Sequence, residues 1–197
     1  MMKYYLDITL LPDAEANLGF LWQKVYQQVH LALVENRIAE NRSEIAVSFP
    51  KYGDKTFPLG DKLRLLAEEK NQLEQLKVGE WLNRLTDYAH ITSIKTVPSE
   101  VSEYAYFKRK QFDTNIERLA RRRVKRKGET FEQAMKHLKG FKGKESGLPF
   151  INIKSLSGSH SFRLFFEQKI VDISEAGDFN CYGLSHEKKQ ATVPWFE

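Results

Sequence analysis

Residues 118–127 read RLARRRVKRK, and seven of those ten side chains are basic. No Gly or Pro interrupts the run from Asn115 to Lys127, so one helix can carry it. At 3.6 residues per turn, Arg118, Arg121, Arg122, Lys125 and Arg126 fall at i, i+3, i+4, i+7 and i+8 and share one face. A cationic stripe repels itself, and a polyanion relieves that cost. Leu119 and Ala120 offer only a thin apolar face for docking, so a solvated face or a basic arm is the plainer alternative. The bias toward arginine points to nucleic acid, because a guanidinium fork grips phosphates and guanine edges with two bonds at once. Arg109 and Gln111, just before the stripe, have side chains suited to reading guanine and adenine edges. An ordinary polar linker is the bland reading of the same pair. Histidine as a residue type titrates near neutral pH, so His30 is a candidate for accepting a proton without prior deprotonation. Its place in the chain, one step round from Val29, is by itself that of a boundary or surface residue. The acidic residues are scattered, without the clustering a two-metal nuclease needs, so neither a metal nor a cofactor is expected.

The elements that must position these residues can be traced along the chain. Tyr4, Leu6, Ile8 and Leu10 alternate as one side of an opening strand. From Leu18 to Val34, apolar residues recur at Leu18, Trp22, Val25, Val29 and Leu33, spaced for one helix face. Ile45 to Phe49 and Lys62 to Ala67 read as strands. Glu69 to Ala89 reads as a helix interrupted near Gly79, and Ile91 to Val97 as a β-branched strand stopped by Pro98. The order β-α-β-β-α-β is the ferredoxin-like arrangement. The base-stacking aromatic signature of the RNA-recognition module that shares this order is missing from Ile45 to Phe49. Pro98 and Ser99 mark a boundary, giving a ferredoxin-like domain over 1–97 and a second α+β domain over 98–197. The second part is expected to hold a strand over Val101 to Phe107, the basic helix, and a helix from Thr130 to Leu138 with Thr130 as its N-cap. Paired strands over Pro149 to Ile153 and Phe162 to Glu167 follow, around the turn SLSGSHS. Val171 to Ile173 and Phe179 to Leu184 are two further candidate strands.

The bulk numbers fit one or two small domains. The chain has 197 residues, 41% of them hydrophobic, enough for a real core. A net charge of +5, concentrated around one stripe, implies a dedicated binding face. The single cysteine, Cys181, can form no internal disulfide. No apolar run approaches the ~20 residues that cross a bilayer. The opening MMKYYLDITLLPD contains acidic residues and no small-residue cleavage site, so a cytoplasmic protein is expected.

These pieces together resemble the CRISPR repeat-cleaving endoribonucleases of type I-F systems. The resemblance rests on YLDITLLPD, on the histidine within VYQQVHLALV, and on VSFP at 47–50. It continues in RKQ followed by NIERLARRRVKR, in LPFINIKSLSGSHSFRLFF, in CYGLS and in VPWF. Each piece alone is weak, and their order across nearly the whole chain is specific. The resemblance implies that the helix bearing Arg118, Arg121, Arg122, Lys125 and Arg126 enters the major groove of a CRISPR repeat RNA hairpin. Arg121, Arg122 and Arg126 would hold phosphates, while Arg123 lies off the stripe. Lys125 stands where the family often has arginine. Arg109 and Gln111 match the family's base-reading pair.

The resemblance also assigns the catalytic positions. His30 matches the family's general base, and Ser155 the residue that holds the nucleotide upstream of the cut. Tyr182 matches a tyrosine beside the active site, Ser157 a neighbouring binding serine, and Phe162 an aromatic that stacks on the base of the hairpin. Gly158, Ser159 and His160 depart from the family's loop residues. His160 and His186 are further candidates for moving a proton. The implied reaction needs no metal, because the RNA 2′-OH can itself attack the adjacent phosphate. A serine-hydrolase reading of Ser155 and His30 fails for want of a GxSxG elbow. The implied partners are the repeat hairpin and the subunits of a type I-F surveillance complex. A non-catalytic hairpin-binding subunit is the alternative.

Overall fold

The structure is a computed structural model that describes residues 1–112, 116–139, 147–155, 158, 160–187 and 189–196. Strand β1 (Tyr4–Leu10) buries Leu6, Ile8 and Leu10. Helix α1 (Leu18–Glu35) starts where the Asn17 side chain accepts a bond from the Phe20 N–H at 3.0 Å. Of the predicted face, Trp22, Val25, Val29 and Leu33 are buried and Leu18 is half-buried, and Leu21 and Tyr26 are buried beside them. Strands β2 (Ala46–Ser48) and β3 (Lys62–Ala67) follow, then the short helices α2 (Lys70–Leu76) and α3 (Val78–Trp81). Strands β4 (Ala89–Ile91) and β5 (Lys95–Thr96) complete a sheet of order β2-β3-β1-β4, with β5 also on β1 and antiparallel pairing throughout. A second antiparallel sheet has the order β7-β8-β6-β9, from β6 (Glu103–Lys110), β7 (Phe150–Lys154), β8 (Ser161–Val171) and β9 (Val193–Trp195). The fold is therefore α+β.

One core serves both sheets. Phe49, just past β2, touches Trp22 of α1 at 5.6 Å, Phe107 of β6 at 5.3 Å and Phe166 of β8 at 4.7 Å between ring centroids. All four are fully or nearly fully buried, and edge-to-face contacts of this kind hold the sheets together beyond area burial alone. By compactness the chain divides into Met1–Arg109 with Pro149–Glu197, and Lys110–Leu148. The expected division into 1–97 and 98–197 follows chain order instead and cuts between the two sheets.

In the second compact unit, α4 (Ile116–Lys127) and α5 (Phe131–His137) are joined by Gly128 in the left-handed region, φ 69°. The Gly128 N–H returns to the Val124 carbonyl at 2.9 Å, which ends α4. Thr130 caps α5 as expected, in a reciprocal box with Gln133.

Four expectations are corrected. The helical stretch expected over Glu69 to Ala89 is interrupted near Gly79 as expected, at Lys77 with φ 48°, but it stops at Trp81, residues 82–88 forming turns before Ala89 opens β4. The strand expected over Ile91 to Val97 is two short pieces. At Thr92 the side-chain hydroxyl, not the carbonyl, takes the Asp7 N–H at 3.0 Å, and the ladder is interrupted there. Val171 to Ile173 is no separate strand, because β8 itself runs to Val171. Phe179 to Leu184 is a tight turn flanked by single bridges of Phe179 to Ser43 and Ser185. Among the described residues, no helix is long and apolar enough to cross a membrane.

Candidate functional site

His30 lies near the end of α1 and is only 5% exposed, so its boundary position in the helical wheel misleads. What covers it is the turn at 180–184. Asn180 builds that turn: its Oδ1 accepts from the N–H of Tyr182 at 2.8 Å and of Leu184 at 3.3 Å. Gly183 closes it at φ 70°. The site demands glycine twice over, since a Cβ there would sit 2.5 Å from Val47 Cγ1. The Val47 N–H donates to the Gly183 carbonyl at 2.8 Å and ties the turn to β2.

The turn delivers two contacts to His30. Nδ1 lies 2.8 Å from the Cys181 carbonyl. A carbonyl only accepts, so Nδ1 carries the hydrogen and the neutral ring keeps its lone pair at Nε2. The Tyr182 ring stacks on the imidazole at 4.1 Å between centroids and 7° between planes. Burial pushes the His30 pKa below its ordinary 6.5, the Cys181 carbonyl opposes this, and the Arg109 guanidinium adds to the lowering. Burial likewise raises the Tyr182 phenol and the Cys181 thiol. Neutral imidazole is thus the favoured state at pH 7.

Arg109 sits near the end of β6. Its guanidinium lies 5.4 Å from the Tyr182 ring centroid and 5.1 Å from that of Phe162 on β8. The structure therefore brings His30, Tyr182, Arg109 and Phe162 into one chain of contacts. Ser155 follows β7, and its N–H donates to the His160 carbonyl at 2.9 Å. The preceding residue, Lys154, donates its N–H to Gln27 Oε1 at 2.9 Å, so the end of β7 is fastened to α1 one turn before His30. Gln111 is exposed just past β6. His160 is exposed, its ring 6.3 Å from that of Phe162. His186 is half-buried, with its N–H on the Asp178 carbonyl. Ser157 and Ser159 lie outside the described residues.

In the second unit, Arg118, Arg121, Arg122, Lys125 and Arg126 are all exposed, while Leu119, Ala120, Arg123 and Val124 are buried or half-buried. The stripe thus forms one open cationic face, opposite the side that packs on α5. Arg123 is turned away from it and pairs with Glu129. Glu117, one turn earlier, pairs with Arg121 at 3.4 Å, a weak exposed contact. Among the described residues, no group of three or more His, Cys, Asp or Glu side chains gathers as a metal ion would need.

The family model described as CRISPR-associated protein (Cas_Csy4) matches residues 5–196. The chain belongs to the Cas_Csy4 family. Two relatives named CRISPR-associated endonuclease Cas6/Csy4 span it end to end. One is from Escherichia coli (strain UTI89 / UPEC), 35% identical over 99% of this chain and 100% of its own. The other, from Pseudomonas aeruginosa (strain UCBPP-PA14), shows the same identity and coverage. Among solved structures, the chain is similar to one described as an RAMP protein binding different RNA substrates. That likeness, at TM-score 0.36 and 11% identity over 97% of this chain and 99% of that one, is too loose to carry an argument.

Four residues around this Cas_Csy4 site are not legible as such in the sequence: Tyr26, Gln27, Cys181 and Asn180. Tyr26 and Gln27 were visible only as helix residues. Of the four, Asn180 directly before CYGLS carries a usable signal, since an Asn side-chain oxygen that accepts from the N–H two residues on builds a turn.

Proposed function

We propose that this chain is a metal-independent endoribonuclease that binds the CRISPR repeat hairpin and cleaves precursor CRISPR RNA at the 3′ base of that hairpin. Membership of a family whose curated members are named endonucleases supports the reading. The observation that carries the chemistry is the Cys181 carbonyl on His30 Nδ1, which leaves Nε2 as the base. Nε2 takes the proton of the 2′-OH, and the 2′-oxygen attacks the adjacent phosphorus. The bond from phosphorus to the 5′-oxygen breaks, and that oxygen takes a proton from water. The products are a 2′,3′-cyclic phosphate and a 5′-OH.

The other residues take supporting roles. Ser155 holds the nucleotide upstream of the cut so that the 2′-OH lies in line with the phosphate. Tyr182 orients His30 through the stack. Phe162 receives the last base pair of the hairpin, and Arg109 and Gln111 read base edges. Arg118, Arg121, Arg122, Lys125 and Arg126 line the groove, and Ser157 binds nearby. The sheet order β2-β3-β1-β4 supports a ferredoxin-like domain over 1–97, with the hairpin-binding part over 98–197. The enzyme stays on its product and joins the subunits of a type I-F surveillance complex in the cytoplasm.

The test incubates wild type and His30→Ala with a repeat hairpin RNA in EDTA, beside a substrate with a single 2′-deoxy at the cut. Cleavage by wild type alone, blocked by the deoxy substitution, is the expected result. Binding without cleavage of a cognate repeat would leave a hairpin-binding subunit with a structural histidine.

A further inference from the structure

Among the described residues, the Asn180–Leu184 turn meets α1 through two hydrogen bonds, and His30 makes one of them. The other comes from Tyr26, whose hydroxyl donates to the Tyr182 carbonyl at 2.7 Å. Tyr26 and His30 are four residues apart, so they project from the same face of α1, one turn and about 6 Å along the axis. Their acceptors, the carbonyls of Tyr182 and Cys181, belong to consecutive residues. In an extended strand, consecutive carbonyls point to opposite sides, and one helix face could reach only one of them. The tight turn imposed by Asn180 and Gly183 removes that restriction.

The Tyr26 ring is wholly buried, stacked on Phe49 at 6.3 Å and edge-on to Phe166 at 5.5 Å. Phenylalanine would fill the same space. A buried hydroxyl is costly without a partner, so the hydroxyl is there for the bond it makes. Its proton is secure, since burial holds the phenol well above its ordinary range.

We infer that Tyr26 is a positioning residue: its hydroxyl and His30 Nδ1–H together clamp the two carbonyls of one turn, and so fix which ring nitrogen of His30 keeps the lone pair. The inference rests on the proposed function for its catalytic consequence, though not for its geometry. The clamp also holds the backbone of the residue whose ring stacks on the imidazole. Loosening it disturbs the Nδ1–H bond and the stack together. An imidazole released from the carbonyl distributes its proton over both nitrogens, and the Nε2–H form cannot act as base from Nε2.

The full chain, with histidine labelled in its ring nitrogens, reports the tautomer directly by proton–nitrogen correlation NMR. The His30 signals are assigned by their loss in His30→Gln. Wild type should show Nδ1–H. Tyr26→Phe should show mixed tautomers, single-turnover cleavage of the repeat hairpin slowed about tenfold, and hairpin Kd within about twofold of wild type. Asn180→Ala, which loosens the turn without touching α1, should move both readouts in the same direction, and it decides the matter if Tyr26→Phe does not fold. Nε2–H in the wild type overturns the inference, as does retention of Nδ1–H and full rate in the folded variants. Tautomer shifts in a protein that cleaves no repeat RNA would uphold the clamp and dispose of the nuclease reading instead.

Discussion

Replacing Asp7 by Asn should cost this protein about 3 kcal/mol, because it strips the counter-charge from a guanidinium that water cannot reach. Arg64 on β3 is 2% exposed and Asp7 on β1 is 7% exposed. Arg64 donates through Nε to Asp7 Oδ1 at 2.7 Å and through Nη2 to Oδ2 at 3.0 Å, a two-bond fork. Its Nη1 donates to the Phe196 carbonyl at 2.7 Å, and its Cζ lies 3.9 Å from the Phe196 ring centroid and 4.6 Å from that of Tyr5. Asparagine keeps the shape but sets an NH2 against a guanidinium N–H and removes the charge. The Phe196 carbonyl and the two rings remain, which argues for the lower end of the roughly 3–5 kcal/mol that severed buried pairs cost. The same physics says that the pair contributes little compared with an apolar replacement, so Asp7→Leu with Arg64→Met should recover most of the loss. Urea midpoints at constant m, read for both singles and the double, measure this. For a chain of this size, 3 kcal/mol corresponds to a Tm lowered by about 6–12 °C. An Asp7→Asn protein within about 1 kcal/mol of wild type would refute the reasoning, as would a double variant no better than the single.

Four further outcomes are expected. Because burial holds the His30 pKa of the RNA-free protein low, the acid limb of kcat/KM, read at sub-saturating RNA, should have its midpoint below 6.5, and a midpoint above 7 would contradict a buried neutral base. The same depression means the unfolded chain binds the proton first, so His30 favours folding fully above about pH 6.5, and that support fades as the pH falls through the lowered folded value; His30→Gln should flatten this part of the urea-midpoint profile. Gly183→Ala forces a left-handed φ of 70° on alanine and a Cβ into Val47, so it should cost about 2 kcal/mol or more by urea melt and slow cleavage with it; a neutral outcome would mean that the turn relaxes freely. Arg126→Ala should weaken hairpin binding and reduce the slope of log K against log salt by roughly one, and an unchanged slope would place Arg126 off the phosphates.

The elements were readable from the chain wherever a local pattern and a long-range need agreed. The α1 stripe and the strand Lys62–Ala67 are where periodicity placed them, since their apolar faces are the ones the core uses. The stripe of α4 was readable for the converse reason: charge has nowhere to go but outward. The exposure of His30 was misread because a helical wheel knows only its own helix. The turn that covers the imidazole comes from 151 residues further on, and its bond to the Cys181 backbone has no side-chain signature at all. Phe179 to Leu184 was misread for a related reason. Its apolar residues mimic a strand, while Asn180 and Gly183 fold it into a turn by side-chain bonding and a positive φ. Asp7 and Arg64 look like ordinary surface charges until the register places them opposite one another on β1 and β3.

On the proposed function, the electrostatics of the site make the substrate part of the base. Burial and the Arg109 charge hold His30 neutral, which keeps the lone pair available but makes Nε2 a weaker base than a histidine in water. An RNA docked beside it brings phosphates, whose negative charge stabilises the imidazolium and offsets Arg109. The gain in basicity then arrives only with the strand that is to be cut. The Cys181 carbonyl matters twice in that scheme, because it fixes the tautomer before binding and stabilises the Nδ1–H dipole of the cation that forms when Nε2 takes the proton. A protein with an exposed histidine would have a stronger base at rest but no such dependence on the bound strand. The buried arrangement gives up some resting basicity and gains cleavage that depends on a correctly seated phosphate.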